Sequence, residues 1–240
     1  MSFLDQAATP DGGSLSLHER EGAFVIALDG EELMHSRAAA SETLLGDIGV
    51  ADLEPDAASR VLIGGLGLGF TLRSVLDSAG PDTAVEVVEL MPAVVEWNRT
   101  HLKALNGELL EDPRVIVRVQ DVARSIGMAR PQTYNSILLD VDNGPFAMVA
   151  PGNASLYSDT GIERICRALK PTGRAFIWSA VREPGFENRL TEARIKFEVI
   201  QAKAHESLSE NGRGAELERG GMGSEDARSA AHWIYVLQPA

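Results

Sequence analysis

The chain has 240 residues, 44% of them hydrophobic and 24% charged, which suits one sizeable α/β domain with a small appendage and not a disordered chain. A formal net charge of −13 repels phosphate backbones and speaks against nucleic acid as a partner. No run is apolar and long enough to span a membrane, the N-terminus has no basic-then-apolar leader, and the one cysteine, Cys166, cannot form an intrachain disulfide, so a cytoplasmic location is expected.

Residues 1–13 are small and polar and are expected to be mobile. Three apolar runs follow, 15–18, 23–28 and 32–35, separated by Glu21-Gly22 and Asp29-Gly30. Asp-Gly between apolar runs signals a hairpin, so residues 14–36 read as a small antiparallel β appendage. Helical spacing covers 38–45, and 52–59 reads as a loop into a strand at Val61. From there strands and helices alternate. Strands are expected at 84–89, 115–119, 136–139 and 174–178. Helices are expected at 72–79, 91–98, 122–128 and 158–169, the last closed by Lys170-Pro171-Thr172-Gly173. Such alternation argues for a parallel sheet with helices on both faces. Two late strands, 197–202 and 233–237, have no helical pattern between them and are expected to pair antiparallel at one edge. The stretch 205–231 lacks periodicity and is expected to be disordered, with an active-site lid as the alternative.

The stretch around which the chain is organised is Val61-Leu62-Ile63-Gly64-Gly65-Leu66-Gly67-Leu68-Gly69, a strand running into a glycine turn and a helix start. Glycine permits positive φ and close approach of a ligand, and the helix that follows offers free N–H groups. Glu89 ends the next strand about twenty residues on, where a doubly wound fold places the acid that grips ribose hydroxyls. The dinucleotide pattern Gly-x-Gly-x-x-Gly fails here, because its third glycine falls on Phe70 or Leu72. Gly65-x-Gly67-x-Gly69 instead resembles the first motif of class I S-adenosylmethionine methyltransferases and their relatives.

Ligands in open parallel sheets sit at the carboxyl ends of strands. Besides the glycine loop, Glu89, Asp121 and Asp140 stand at such ends. Asp140 and Asp142 make an acidic nook beside a turn, suited to holding an ammonium group or taking a proton from a nucleophile. The other reading is plain turn chemistry. No third acid or histidine is spaced to complete a metal site, so no metal is expected.

Taken together these segments resemble the spermidine synthase (polyamine aminopropyltransferase) family. The resemblance rests on the glycine loop with Thr71-Leu72-Arg73, Val88-Glu89-Leu90-Met91-Pro92, Gln120-Asp121-Val122, Tyr134 through Asp140, Leu156-Tyr157-Ser158 and Leu169 through Gly173. It implies a mostly parallel, seven-stranded, Rossmann-like methyltransferase sheet with an antiparallel edge hairpin. Residues 1–50 would form the β appendage and a linking helix, and 51–240 the nucleoside-binding domain. It implies a co-substrate, S-adenosylmethionine or its decarboxylated form, held by Gly64, Gly65, Gly67, Gly69, Glu89, Leu90, Asp121 and Val122. Glu89 would hold the ribose and Asp121 the adenine. Asp140 would activate the acceptor amine, with Asp142 and Tyr157 on the substrate. The partner would be a small-molecule amine or another small acceptor, and a homodimer is compatible with this reading. The family's glycine loop carries an aspartate that faces the amino end of the transferred group; this loop has no acid. Three readings therefore stand: aminopropyl transfer, methyl transfer to a small molecule on the same fold, and a catalytically idle nucleoside-binding relative.

Overall fold

The computed structural model describes residues 1–141, 155–203 and 231–239. Its N-terminal part is a four-stranded antiparallel sheet in the order β1 (Ser2–Ala8), β2 (Ser14–Arg20), β3 (Ala23–Leu28) and β4 (Glu31–His35). Its tight turns have two left-handed residues each, Glu21-Gly22 at φ 51° and 75° and Asp29-Gly30 at φ 51° and 86°. Positive φ at both central positions matches the right-handed twist of a hairpin. Residues 2–8 were expected to be mobile; instead β1 pairs along β2 from Ser2↔Glu19 to Ala8↔Ser14. Backbone pairing needs no apolar alternation, which is why composition misread this segment. Trp97 also anchors β1, its Nε1–H donating to Asp5 Oδ2 at 2.8 Å.

The rest builds a layered α/β unit: α1 (Ala40–Val50), β5 (Ser59–Gly64), α2 (Phe70–Ser78), β6 (Thr83–Glu89), α3 (Pro92–Arg99), the single turn α4 (Lys103–Asn106), β7 (Val115–Val119) and α5 (Val122–Met128). Then come β8 (Tyr134–Leu139), α6 (Asp159–Ala168), β9 (Leu169–Ser179), α7 (Pro184–Glu192), β10 (Lys196–Lys203) and β11 (Ala231–Gln238). The large sheet runs β10-β11-β9-β8-β5-β6-β7. Strands β5 to β9 are mutually parallel, and β11 lies antiparallel between β9 and β10. The fold is thus the doubly wound, mostly parallel seven-stranded sheet with an antiparallel edge hairpin, preceded by a smaller β sheet.

Alternate residues of the central strands serve opposite faces, as a pleated strand requires. Val61, Ile63, Val85 and Val87 pack with α1, α2, α3 and with Leu15, Leu17 and Ile26 of the N-terminal sheet. Leu62, Val88, Ile137 and Leu139 pack with α5, α6 and α7. Strand order reverses at β5, so a crevice opens at its carboxyl end.

Three readings of the sequence need correction. The stretch 170–173, expected to close a helix as a turn, lies within β9 as a bulge: Tyr134 pairs with Leu169 but Ser136 pairs with Arg174. Helix α7 gave no sufficient apolar period; only Phe186 and Leu190 of its nine residues are buried. Helix α1 runs on past residue 45 to Val50; Gly46 and Gly49, poor helix formers, hide this in the sequence, but both pack tightly, a Cβ at Gly46 meeting Ser74 and one at Gly49 meeting Leu138. The stretch 205–230 of the expected loop lies outside the described residues.

A Cβ on Gly46 would sit 2.6 Å from Ser74 Cβ and 2.7 Å from the Thr71 carbonyl oxygen. Gly46→Ala should therefore destabilise the fold by about 1–3 kcal/mol through overpacking, despite alanine's better helix propensity. Gly127 of α5 has nothing closer than 3.8 Å to its would-be Cβ, so Gly127→Ala should be neutral or stabilise by up to about 1 kcal/mol. Urea denaturation of the two variants checks this; a Gly46→Ala protein as stable as the wild type would show that α1 and α2 are not closely packed.

Candidate active site

The glycine loop follows β5 and takes three left-handed residues, Gly65 at φ 89°, Gly67 at 49° and Gly69 at 88°. Gly65 has no alternative, because a Cβ there would overlap the Asp140 carbonyl. Leu66 and Leu68, between the glycines, turn inward and are 6% and 4% exposed. The loop's own carbonyls are held from behind: Asn98 Nδ2 donates to Gly67 O at 2.9 Å and Asn106 Nδ2 to Leu68 O at 2.5 Å. Arg73 in turn donates to Asn106 Oδ1 at 2.6 Å. A glycine loop is intrinsically floppy, and these buried amides fix its shape before any ligand arrives.

Glu89, at the end of β6, is 7% exposed. Its Oε2 accepts the Leu66 N–H at 2.8 Å and its Oε1 the Met91 N–H at 2.8 Å. Burial pushes its pKa up, opposed by these backbone donors. Asp121 caps α5, its Oδ1 accepting from the N–H of Ala123 at 2.6 Å and of Arg124 at 3.4 Å. Asp140 follows β8 and its N–H donates to Gly64 O at 2.8 Å. Thr71 Oγ1 donates to Asp140 Oδ2 at 2.8 Å. Burial is the main cause that pushes the Asp140 pKa up to about 7; the charge of Glu42 adds to it, Thr71 opposes it and Glu89 adds a smaller push.

These groups meet at one cleft of about 780 Å³, counted out to its open mouth. Gly65, Gly67, Glu89, Leu90, Asp121, Val122 and Asp140 line it, so seven of the residues singled out from the sequence come together. Gly64 and Gly69 shape the loop from behind, Gly64 against Val122 and Leu139, Gly69 against Asn98 and Asn106. Tyr157 is not among the residues lining the cleft. It is 2% exposed and its ring packs edge-on against Phe186 at 5.8 Å, in the core under α6 and α7. Asp142 lies outside the described residues. The opposite wall of the cleft comes from the N-terminal sheet through Thr9, Leu15, Ile26, Leu33 and Met34. Sequence reasoning gave these residues no part in the site. Their apolar alternation marked them only as core, and nothing local tells which surface a hairpin will cover. Among the described residues, no group of three or more His, Cys, Asp or Glu side chains could hold a metal ion, and no helix is long and apolar enough to cross a membrane.

The Asp140 carboxyl has a consequence for stability. Its pKa rises from 3.8 to about 7 in the folded protein, so the unfolded chain releases its proton first. Stability from this group is complete below about pH 4, declines as pH rises toward 7 and levels off above it. Asp140→Asn carries no titrating charge and should gain on the wild type steadily across that window. Thermal or chemical denaturation from pH 4 to 8 measures the difference; a difference that does not change with pH would mean that the folded protein does not raise this carboxyl.

No protein-family model matches the chain. Among curated proteins it is similar to a polyamine aminopropyltransferase of Mycobacterium tuberculosis, 33% identical over 120 residues, which is 49% of this chain and 22% of the relative. Polyamine aminopropyltransferase 2 of Pseudomonas aeruginosa is 34% identical over 127 residues, 51% of this chain and 34% of the relative. That of Prochlorococcus marinus is 29% identical over 119 residues, 49% and 40%. The match therefore spans well under half the length of each of these relatives. Among solved structures, spermidine synthase from Thermotoga maritima matches with a TM-score of 0.68 at 16% identity, covering 100% of this chain and 73% of the other. A spermidine synthase in complex with the transition state analogue AdoDATO gives 0.67 at 15% identity with the same coverage. Human methyltransferase-like protein 13 in complex with SAH gives 0.55 at 20% identity, covering 84% of this chain and 81% of the other. In sequence, then, about half of the chain is similar to polyamine aminopropyltransferases, and the whole of it has the spermidine synthase fold, built on a methyltransferase-like sheet.

Proposed function

We propose that the protein is an aminopropyltransferase that binds decarboxylated S-adenosylmethionine in this cleft and transfers its aminopropyl group to a small amine. The observation that carries the reading is the convergence of Glu89, Asp121 and Asp140 with the glycine loop on a single cleft at the switch point of the sheet. The similarity to polyamine aminopropyltransferases and the shared fold support it. Glu89 would accept the ribose hydroxyls through the lone pairs that its two backbone donors leave open. Asp121 would face the adenine through the carboxylate oxygen not engaged in capping. No metal enters the reading. With a single cysteine the chain suits a reducing compartment, and we place it in the cytoplasm.

The chemistry follows from charge. An amine arrives as an ammonium and cannot attack until it loses a proton. Asp140 would hold the cation and take that proton; its pKa near 7 makes it a stronger base than an ordinary carboxylate while leaving it ionised in part at neutral pH. The freed nitrogen lone pair would then form a bond to the carbon next to the sulfonium. The carbon–sulfur bond breaks and its electron pair stays on sulfur, giving a neutral thioether. The new secondary ammonium carries the positive charge away. Positioning and deprotonation supply the catalysis.

One observation favours methyl transfer from S-adenosylmethionine as the second reading. Where the resembled family's loop has its aspartate, this loop has Gly67, and Met34 Sδ of β4 lies 2.7 Å from where a Cβ would stand. Among the described residues, the wall beside Gly67 is apolar and offers no anion to select an ammonium over a zwitterion.

Two outcomes are expected. Glu89→Gln should weaken nucleoside binding by about 2 kcal/mol or more, roughly thirtyfold, because it replaces a charged double acceptor by an amide with one acceptor; calorimetry with the donor shows it, and unchanged affinity in a folded variant would remove the ribose role. Asp140→Asn should lower turnover by about 10²–10⁴-fold while donor affinity stays within a few-fold. Both donors screened against diamines, polyamines and monoamines measure this. Full turnover in the variant would end the general-base role, and transfer of methyl alone would replace the first reading by the second.

A further inference from the structure

Glu42 was not read from the sequence as part of the site, yet it stands in the first turn of α1, and its charge is one of the causes that raise the proton affinity of Asp140. The surrounding geometry fixes it there. Ser41 is fully buried, and its Oγ lies 2.6 Å from Glu42 Oε2 and 2.8 Å from His232 Nδ1. His232 belongs to β11 and packs edge-on against Trp178 at 4.7 Å. On the other side, Thr71 Oγ1 lies 3.3 Å from the Glu42 carbonyl oxygen and 2.8 Å from Asp140 Oδ2. One hydroxyl carries one proton, so the shorter contact is the donated bond. Three elements, α1, α2 and β11, thus converge behind Asp140, which lines the cleft, and hold Glu42 in the layer beside it.

We propose that Glu42 is a positioning residue for the transfer reaction: clamped by Ser41 and His232, it presents a fixed negative charge to Asp140 and so sets the proton affinity of the base that receives the acceptor ammonium. The proposal rests on Asp140 being that base. One threonine hydroxyl, Thr71 Oγ1, touches both the Glu42 carbonyl and the Asp140 carboxyl, so the two acids are neighbours across α1 and α2; neighbouring buried acids titrate as a pair and do not both ionise readily, so the pair retains a proton until a cation arrives. The helix N-terminus and the Ser41 hydroxyl favour charge on Glu42, which leaves the shared proton on Asp140. Burial raises Glu42 as well, with Ser41 opposing it. Among the described residues, the titratable groups that face Asp140 are Glu42 from α1 and Glu89 from the end of β6; Thr71 of α2 offers only its hydroxyl, and His232 of β11 reaches the pair through Ser41. An incoming ammonium would neutralise the repulsion and lower the proton affinity of the pair, so that the retained proton passes to bulk water through the open mouth of the cleft and acceptor binding itself readies the base.

The test is carbon-13 NMR titration of protein labelled at aspartate carboxyls, with the Asp140 signal assigned by its loss in Asp140→Asn. The wild type should titrate near neutrality, and Glu42→Gln should lower that midpoint by about one pH unit, a tenfold change in acidity. Glu42→Asp keeps the charge and should restore most of the shift. If the midpoint is the same in the wild type and Glu42→Gln, the proposal is wrong; a wild-type Asp140 that titrates in the ordinary carboxylate range would overturn it equally. Ser41→Ala tests the clamp if Glu42→Gln does not fold, and should also lower the midpoint. This readout needs no turnover, so it is separable from the function: absence of transfer to any amine would sink the transferase reading without moving the titration. Where an amine is turned over, the acidic limb of kcat/KM should shift to lower pH in Glu42→Gln by the same amount, with donor affinity unchanged, and an unmoved limb would contradict the proposal.

Discussion

The rest of the site depends on one carboxylate accepting two backbone N–H groups. Glu89 ends β6, yet its oxygens receive the N–H of Leu66 from the glycine loop and that of Met91 from the entrance of α3. A loop of left-handed glycines has a large conformational entropy to lose; Asn98 and Asn106 hold two of its carbonyls, and the acid on the neighbouring strand takes the Leu66 N–H on the cleft side. Burial of that acid is costly unless donors surround it, and the loop provides one of them. Loop and acid therefore stabilise each other. Because a carboxylate is an acceptor with lone pairs to spare, the same group can hold the loop and still face a ligand.

The second constraint is enclosure. The carboxyl ends of β5, β6 and β8 would lie open to water without the N-terminal sheet, which brings Leu15, Ile26, Leu33 and Met34 over the glycine loop. Excluding water raises the proton affinity of Asp140 and strengthens every charge–charge interaction around it. The Trp97 indole of α3, donating to Asp5 of β1, ties that sheet to the α/β unit. The apolar cover is also where this chain departs from the family that it resembles: a methionine sulfur occupies the space beside Gly67 that an acidic side chain would need.

Much of this was legible in the sequence for a physical reason. Glycines at fixed spacing after an apolar run, and an acid about twenty residues later, are local signals, and so are acids following a strand, as Asp121 and Asp140 do. The edge hairpin was legible as two strand-like segments with no helical pattern between them. What could not be read depends on tertiary placement. The same Leu33 and Met34 would look identical on a hairpin that covered nothing. Tyr157 was assigned to substrate by resemblance to a motif, and the structure turns its ring toward Phe186 instead. Glu42 has no motif at all; only the packing of α1 on α2, through Gly46, brings it to Asp140. β1 was missed because its stability comes from ladder hydrogen bonds and not from a run of apolar side chains.

The central claim is that the cleft between glycine loop and N-terminal sheet takes a sulfonium nucleoside. Titration calorimetry of the unmodified protein against decarboxylated S-adenosylmethionine and against S-adenosylmethionine tests it most directly. The account predicts one site per chain, competition between the two donors, and only a modest preference between them, because no acid stands at Gly67 to select the ammonium tail. Binding of neither donor would contradict the account at its root, and a strong preference for the decarboxylated form would contradict the part assigned to Gly67 and Met34.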